Sequence, residues 1–396
     1  MSLFPARAVV DLGAIRANAR TLRRITAEAA QTAGAVPPAV MAVVKADAYG
    51  HGLVPVARAA VQGGVTWLGA AQLTEALALR AAGIDARILT WLYAPGAPLH
   101  LAVEAEVDLA VSAPWAVAEI AAAARATGRT ARVQLKVDTG LGRNGLTPDD
   151  LPAVLDAVAR LRDEGVLTVS GLFSHLAFAD TPGHPTLDHQ LEVLHAAVAA
   201  ARSRGIDPEL RHIAASAATL TAPELHLDLV RPGLALYGLS PVPQIGGPEH
   251  FGLIPAMTLE AELATVKRLP AGHGMSYGHQ YVTPTATTVG VVPLGYGDGI
   301  PRHASGVDGA PGAPLGISGR RRSIAGRVCM DQFMVDLGPE ATEVAGDRVV
   351  LFGRGGPSAE DWARAADTIS YEIVTRLGGR VPRVYVDDET TQESDR

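Results

Sequence analysis

Lys45 closes the uninterrupted apolar run Met41–Val44, so its amine emerges from buried backbone. Burial disfavours the ammonium form and lowers a lysine pKa, and a neutral lysine is a Schiff-base nucleophile. A lysine that marks where a strand reaches solvent has the same local pattern, and the residues alone leave both readings open. Asp138, His175, Ser216 and Arg231 also stand at or near the ends of apolar runs. If those runs are strands of one parallel barrel, the five side chains converge at its carboxyl end, where barrel enzymes place their chemistry.

The elements that must position them alternate regularly. Residues 41–45, 65–70, 87–91, 107–112, 132–138, 169–176, 210–216 and 227–233 are short β-rich runs that read as strands. Between them, 53–62, 73–83, 115–128 and 191–205 are alanine-rich and read as helices; the last two end in Gly128 and Gly205, residues suited to a left-handed helix end. Eight buried strands with crossover helices imply a parallel sheet, and eight such units are what a closed (β/α)8 barrel requires. An open doubly wound sheet is the alternative. From about residue 245 Gly, Pro and Thr rise; 259–269, 287–295, 322–337 and 347–353 read as strands and 358–367 as a helix. The expectation is an α/β chain: a TIM-type (β/α)8 barrel over 1–245, a mainly β domain over 246–386, and a disordered polar tail over 387–396.

Composition excludes several classes. Lys+Arg number 34 against 41 Asp+Glu, a formal charge of −7, so no basic excess exists to neutralise nucleic-acid phosphates. With 48% apolar and 19% charged residues the chain can build a core, which argues against disorder. The single cysteine, Cys329, allows no intrachain disulfide and fits a reducing compartment. No activating pair accompanies it, so it reads as a small buried residue. The first residues are interrupted by Arg7, Asp11 and Arg16, unlike a signal-peptide core, and the uncharged run 269–297 is too rich in Gly, Pro and Thr to cross a membrane. The twelve histidines show no metal-ligand spacing. A cytoplasmic protein without nucleic-acid or membrane partners is expected.

Lys45 lies in AVVKADAYGHG, which resembles the pyridoxal-phosphate lysine motif of alanine racemases. The resemblance continues in order through KVDTGLGRNG (136–145), FSHLAFAD (173–180), VRPGLALYG (230–238), SYGHQY (276–281), GYGDGIPR (295–302), GRVCMDQFMVDLG (326–338) and DTISYEIVTRLGGRVPRVY (367–385). It implies a fold-type III enzyme that binds pyridoxal 5'-phosphate and works as a homodimer with shared active sites. Its substrate would be alanine, and its product D-alanine for peptidoglycan.

The resemblance also implies roles. Lys45 would hold the cofactor and act as one proton-transfer base; Tyr277 would be the base on the opposite face. Racemisation removes a proton from one face of the α-carbon and returns it on the other, which two groups can do. Arg231 would donate to the pyridine nitrogen and keep it unprotonated, weakening the ring as an electron sink. His175 would pack on the ring and hold Arg231, and Arg143 would bond the phenolic oxygen. Tyr49, Ser216, Gly233, Leu234 and Tyr371 match the phosphate-binding positions. The usual Asn before the serine is Ala215 here, so one side-chain contact near the phosphate would be missing or replaced. Lys136 matches a lysine often carbamylated to orient the arginine. Arg143, Met330, Asp331 and Tyr296 match substrate-side positions, with Arg302 near the tyrosine base. A packed aromatic for Tyr277, a core histidine for His175, a loop arginine for Arg143 and a helix N-cap for Ser216 are the ordinary structural alternatives. At the level of function, a racemase of other amino acids, a fold-type III decarboxylase and a non-catalytic cofactor carrier are the rivals.

Overall fold

The computed structural model describes residues 4–387. The proposed tail over 387–396 therefore lies, apart from Asp387, outside the described residues. The chain divides into two compact units: Ile15–Ala48 with Leu53–Ile254, and the residues up to Ala14, Tyr49–Gly52 and from Pro255 onward.

Strand β1 is Ala6–Asp11, followed by β2 (Ala39–Val43), β3 (Trp67–Gln72), β4 (Arg87–Leu92), β5 (Asp108–Val111), β6 (Ala131–Lys136), β7 (Leu167–Phe173), β8 (Leu210–His212) and β9 (Leu229–Val230). Strands β2 to β9 form one eight-stranded sheet in the order β8-β7-β6-β5-β4-β3-β2-β9, parallel at every pairing. The circle closes between β8 and β9, where Asp228 N–H donates to the Arg211 carbonyl (3.1 Å) and Arg231 N–H to that of Ala214 (2.9 Å). The barrel, not the open sheet, is the architecture. Met41, Trp67, Leu89, Ala110, Phe173 and Leu229, one from each of six strands, pack into a buried apolar cluster. Three helices follow the expected runs closely, Leu53–Gln62, Leu73–Ala81 and Pro114–Thr127, while the one expected over 191–205 runs earlier, over Thr186–Arg202. Gly128 and Gly205 take φ +66° and +70° at or just beyond two of these helix ends.

The other unit is mainly β. Its strands are β10 (Met257–Glu262), β11 (Thr265–Leu269), β12 (Gly274–Met275), β13 (Tyr281–Val282), β14 (Thr287–Val292), β15 (Pro314–Ile317), β16 (Arg320–Ser323), β17 (Phe333–Gly338), β18 (Arg348–Phe352) and β19 (Arg383–Val386). A six-stranded sheet runs β16-β15-β18-β10-β1-β19, a three-stranded one β11-β14-β17, and β12-β13 is a hairpin. Three findings differ from the sequence reading. The start of the chain joins this unit: Ala6, Ala8 and Val10 alternate inward and β1 pairs with β10 and β19. The single strand expected over 322–337 is two, because Gly326 at φ +81° turns the chain out of the ladder between β16 and β17. The run 259–269 is likewise broken into β10 and β11, which lie in different sheets.

Candidate active site

β2 ends at Val43, whose carbonyl accepts the Tyr237 hydroxyl (2.9 Å), and Lys45 stands two residues beyond. It opens a single turn, Lys45–Tyr49, of unusual hand. Ala46, Asp47, Ala48 and Tyr49 have φ of +54°, +53°, +54° and +53°. Left-handed backbone costs an L-residue roughly 1–2 kcal/mol because Cβ crowds the next carbonyl, so neighbours must hold it. Glu75 does so: Oε1 accepts the Ala46 N–H (2.7 Å), and Oε2 accepts those of Ala71 and Gln72 (both 3.0 Å). Asp47 Oδ1 accepts the Leu53 N–H (2.8 Å). The lysine thus leaves from pinned backbone.

The Lys45 amine is half-buried, and desolvation lowers its pKa, helped by the positive charges of Arg143 and Arg231 and opposed by Glu75. Lys136, at the end of β6, is buried with Nζ 5.9 Å from the Phe173 ring centre. Burial, then Arg231 and Arg143, bring its pKa down to about 8. Arg143 is exposed on the loop after β6. That loop is shaped by Asp138, whose Oδ1 accepts the Gly140 and Gly142 N–H groups (3.0 and 3.1 Å). Gly145 has φ +138°, and a Cβ there would lie 2.5 Å from the Asp138 nitrogen, so only glycine fits.

Arg231 follows β9 and is 6% exposed. Nη1 donates to His212 Nδ1 (2.9 Å); Nη2 donates to the carbonyls of Ser174 (2.8 Å) and Ile213 (3.2 Å) and lies 3.2 Å from His175 Nδ1. No carboxylate among the described residues contacts it, and burial alone pulls its pKa down to about 9. Its Nε–H meets no acceptor among the described residues. His175 is pushed down to about 3, first by burial and then by Arg231 and Arg143; His212, fully buried, is also well below its ordinary value.

Both imidazoles are therefore neutral in the fold, whereas in the unfolded chain they titrate near pH 6.5. Below that pH the unfolded chain takes up protons the folded one refuses, down to about pH 3 for His175, so stability falls as pH drops through this window. The urea midpoint is expected to be lower at pH 5 than at pH 7, and His175→Gln to shrink the difference. An undiminished difference in the variant would assign the acid sensitivity to other groups.

Ser216 is not an N-cap: it is the first residue of the helix Ser216–Thr221, and Ala215 occupies the cap position. Its buried hydroxyl accepts the N–H groups of Gly233 (2.8 Å) and Ala235 (3.2 Å). Between them the buried Leu234 N–H meets no acceptor among the described residues.

In the β unit, Tyr49 and Tyr371 bring their ring centres to 6.1 Å, and burial with Tyr371 raises the Tyr49 hydroxyl pKa. Tyr277 opens a short 3-10 turn after Ser276 (φ +62°) and is 71% exposed. Tyr296 and Gly297 N–H donate to the carbonyls of Cys329 (3.0 Å) and Met330 (2.8 Å), which joins GYGDGIPR to the segment carrying Met330 and Asp331. Both Tyr296 and Met330 are exposed. Asp331 pairs with Arg380 (2.8 Å), which also reaches Asp298 (2.9 Å), and Arg302 is exposed on its own short turn. Cys329 is half-buried rather than fully buried, its Sγ 3.5 Å from Ser276 Oγ.

Sequence reasoning missed Asp108, Gln134, Ser170 and His212, polar side chains buried inside the barrel. Asp108 and Gln134 each lie between apolar neighbours, whereas His212 follows Arg211, and neither pattern tells a side chain facing the barrel interior from one facing solvent. It also missed Thr139 and Gln190, which bond Ser174 (2.7 Å) and the His175 carbonyl (3.1 Å). No helix among the described residues is long and apolar enough to cross a membrane.

Comparison with known proteins follows the same two-part division. Residues 10–241 match the model of the alanine racemase N-terminal domain and residues 256–385 that of the C-terminal domain, which sets the chain among two-domain barrel isomerases. It is 57% identical over 395 residues to an alanine racemase of Streptomyces coelicolor, covering 98% of this chain and 97% of that one. The crystal structure of alanine racemase from D-cycloserine-producing Streptomyces lavendulae superposes with a TM-score of 0.93 at 53% identity, covering 99% of this chain and all of the other. That of Corynebacterium glutamicum gives 0.82 at 37% identity over 97% of this chain and all of the other. The chain belongs to the alanine racemase family.

Proposed function

We propose that the protein interconverts L- and D-alanine with pyridoxal 5'-phosphate and supplies D-alanine for peptidoglycan. The observation that carries this reading is Arg231, a buried guanidinium that no carboxylate among the described residues contacts, whose Nη2 lies 3.2 Å from His175 Nδ1 and whose Nε–H is unspent. Such a donor suits an unprotonated ring nitrogen. The unsatisfied Leu234 N–H suits a phosphate oxygen, and Lys45 offers an amine of lowered pKa. The residues present therefore fit the group. Lys45 would hold it covalently, Arg231 its ring nitrogen, His175 its ring and Arg143 its phenolic oxygen; Tyr49, Ser216, Gly233, Leu234 and Tyr371 would hold its phosphate. When bound, the cofactor withdraws electrons from the substrate α-carbon and acidifies its C–H bond.

The chain then has to move one proton on each of two faces. Lys45 Nζ would serve one face and Tyr277 Oη the other, each as base for one enantiomer and acid for its mirror image. A lowered lysine pKa enlarges the neutral fraction that can accept the proton. Arg143, Met330, Asp331 and Tyr296 would bind and orient the substrate, the cation of Arg143 facing its carboxylate. Lys136, with its pKa near 8, has a neutral fraction able to take up carbon dioxide, and the resulting carbamate would orient Arg143. The 71% exposure of Tyr277 suits a base delivered to a second subunit's barrel. We accordingly read the protein as a cytoplasmic homodimer whose β domain completes the partner's site.

The test is a chiral assay of purified, cofactor-loaded protein with L-alanine. D-alanine is expected to accumulate toward equal amounts of the two hands. Release of carbon dioxide, or faster racemisation of another amino acid, would replace this reading. Arg231→Glu exchanges a donor for an acceptor at the ring nitrogen. Racemisation is expected to fall about a hundredfold while pyruvate, the product of transamination, rises. An unchanged rate in a folded variant would mean Arg231 serves another group.

A further inference from the structure

A line of polar side chains runs through the barrel interior and takes no part in the chemistry above. It starts where Arg231 Nη1 donates to His212 Nδ1 (2.9 Å). His212, on β8, sets Nε2 against Gln134 Oε1 of β6 (2.8 Å), and Gln134 Nε2 donates to Asp108 Oδ2 of β5 (3.3 Å). Asp108 also accepts from Ser170 Oγ (2.5 Å) and Arg132 Nε (3.1 Å). Arg132 and Arg87 both pair with the exposed Glu209, at 3.3 and 3.1 Å. Asp108, Gln134, Ser170 and His212 are each at most 2% exposed.

Each link fixes the direction of the next. A guanidinium only donates, so His212 Nδ1 must carry a lone pair and the imidazole proton must sit on Nε2. That proton goes to the Gln134 carbonyl oxygen, which turns the amide NH2 toward Asp108, and a carboxylate accepts it. The opposite polarity would set N–H against N–H at Arg231. The line therefore has a cation at one end and an anion at the other, with no freedom between. Interiors of such barrels are ordinarily filled by branched apolar side chains, and burying polar groups instead is costly unless every one is satisfied.

We propose that Asp108 is the remote counter-charge of Arg231, and that Asp108, Gln134 and His212 are positioning residues that hold Arg231 as a fixed, fully donating guanidinium. The kinetic part of the test rests on the function proposed above; the spectroscopic part does not. Full-length protein labelled with 15N-histidine reports the His212 ring directly, with its signals assigned by their loss in His212→Gln. The wild type should show the neutral Nε2–H form throughout about pH 6 to 9. A ring protonated on Nδ1, or charged, in that range overturns the proposal without any further variant.

Asp108→Asn keeps the shape but removes the charge and lets the Gln134 amide turn over. His212 should then become a mixture of tautomers, and kcat for alanine should fall about tenfold with KM within about twofold of wild type. Adding Gln134→Leu should cost less than about a further twofold, because the line is already cut. An unmoved His212 signal, or a moved one with kcat unchanged, makes the line structural and overturns the proposal. Should Asp108→Asn fail to fold, Gln134→Leu alone is read by the same two outcomes. If wild-type protein racemises no alanine, the proposed function fails while the His212 spectra still decide the relay.

Discussion

Lys45→Ala is expected to reduce racemisation by at least about a thousandfold, because one change removes both the covalent anchor and one of the two bases. The fold should survive it. The side chain is half-buried and makes no hydrogen bond among the described residues, and the backbone beneath it is held by Glu75 and Asp47 rather than by the amine. Burial with Arg143 and Arg231 destabilises the ammonium, so the truncated protein is expected to unfold at the same temperature as wild type or slightly above it. Borohydride should fix no cofactor to the variant chain. A reducible adduct that persists would place the covalent anchor elsewhere, and wild-type turnover would remove Lys45 from the mechanism.

Two inactive chains are expected to restore each other. Lys45→Ala lesions the barrel unit and Tyr277→Phe the β unit, and each homodimer alone should be nearly inactive. Random exchange of equal amounts makes half the dimers mixed. In a dimer with shared sites, one site of each mixed pair then inherits both lesions, while the other joins an intact Lys45 to an intact Tyr277. About a quarter of all sites should be wild-type in composition, and activity should rise toward that fraction. If both bases came from one chain, no site in any dimer would be intact. Activity no higher than the parents after demonstrated exchange would reject the shared site.

The barrel was legible in the sequence because its helices are amphipathic or alanine-rich and its strands are apolar; the run over 53–62, for instance, is the helix Leu53–Gln62. Residues at the ends of strands, Lys45, His175 and Arg231, could be singled out because apolar runs stop there. Asp108, Gln134 and His212 could not. A polar residue inside a strand has the same two-residue period whether it faces solvent or the barrel interior, and only the neighbouring strands decide which. Neither Ser216's acceptance of the Gly233 and Ala235 N–H groups nor Arg231's unspent Nε–H has any local pattern, since both depend on backbone brought from another strand end. In the β unit, Gly326 reads equally well as a strand residue and as a turn, which is why the break before β17 was invisible.

Four consecutive L-residues in mirror-image backbone cannot seed a fold. Ala46 through Tyr49 each favour the opposite hand by roughly 1–2 kcal/mol, so the turn is populated only once Glu75 and Leu53 have arrived to pin it. Lys45 then reaches its place only when the packing that brings Glu75 and Leu53 to the turn has formed. The preference reverses for D-residues. A chain assembled by ligation with D-alanine at positions 46 and 48 should enter the turn without strain and melt at a higher temperature; an unchanged melting point would mean that the turn stores no strain. The lysine proposed to pass alanine between its two hands is carried by a stretch of backbone that has itself crossed over.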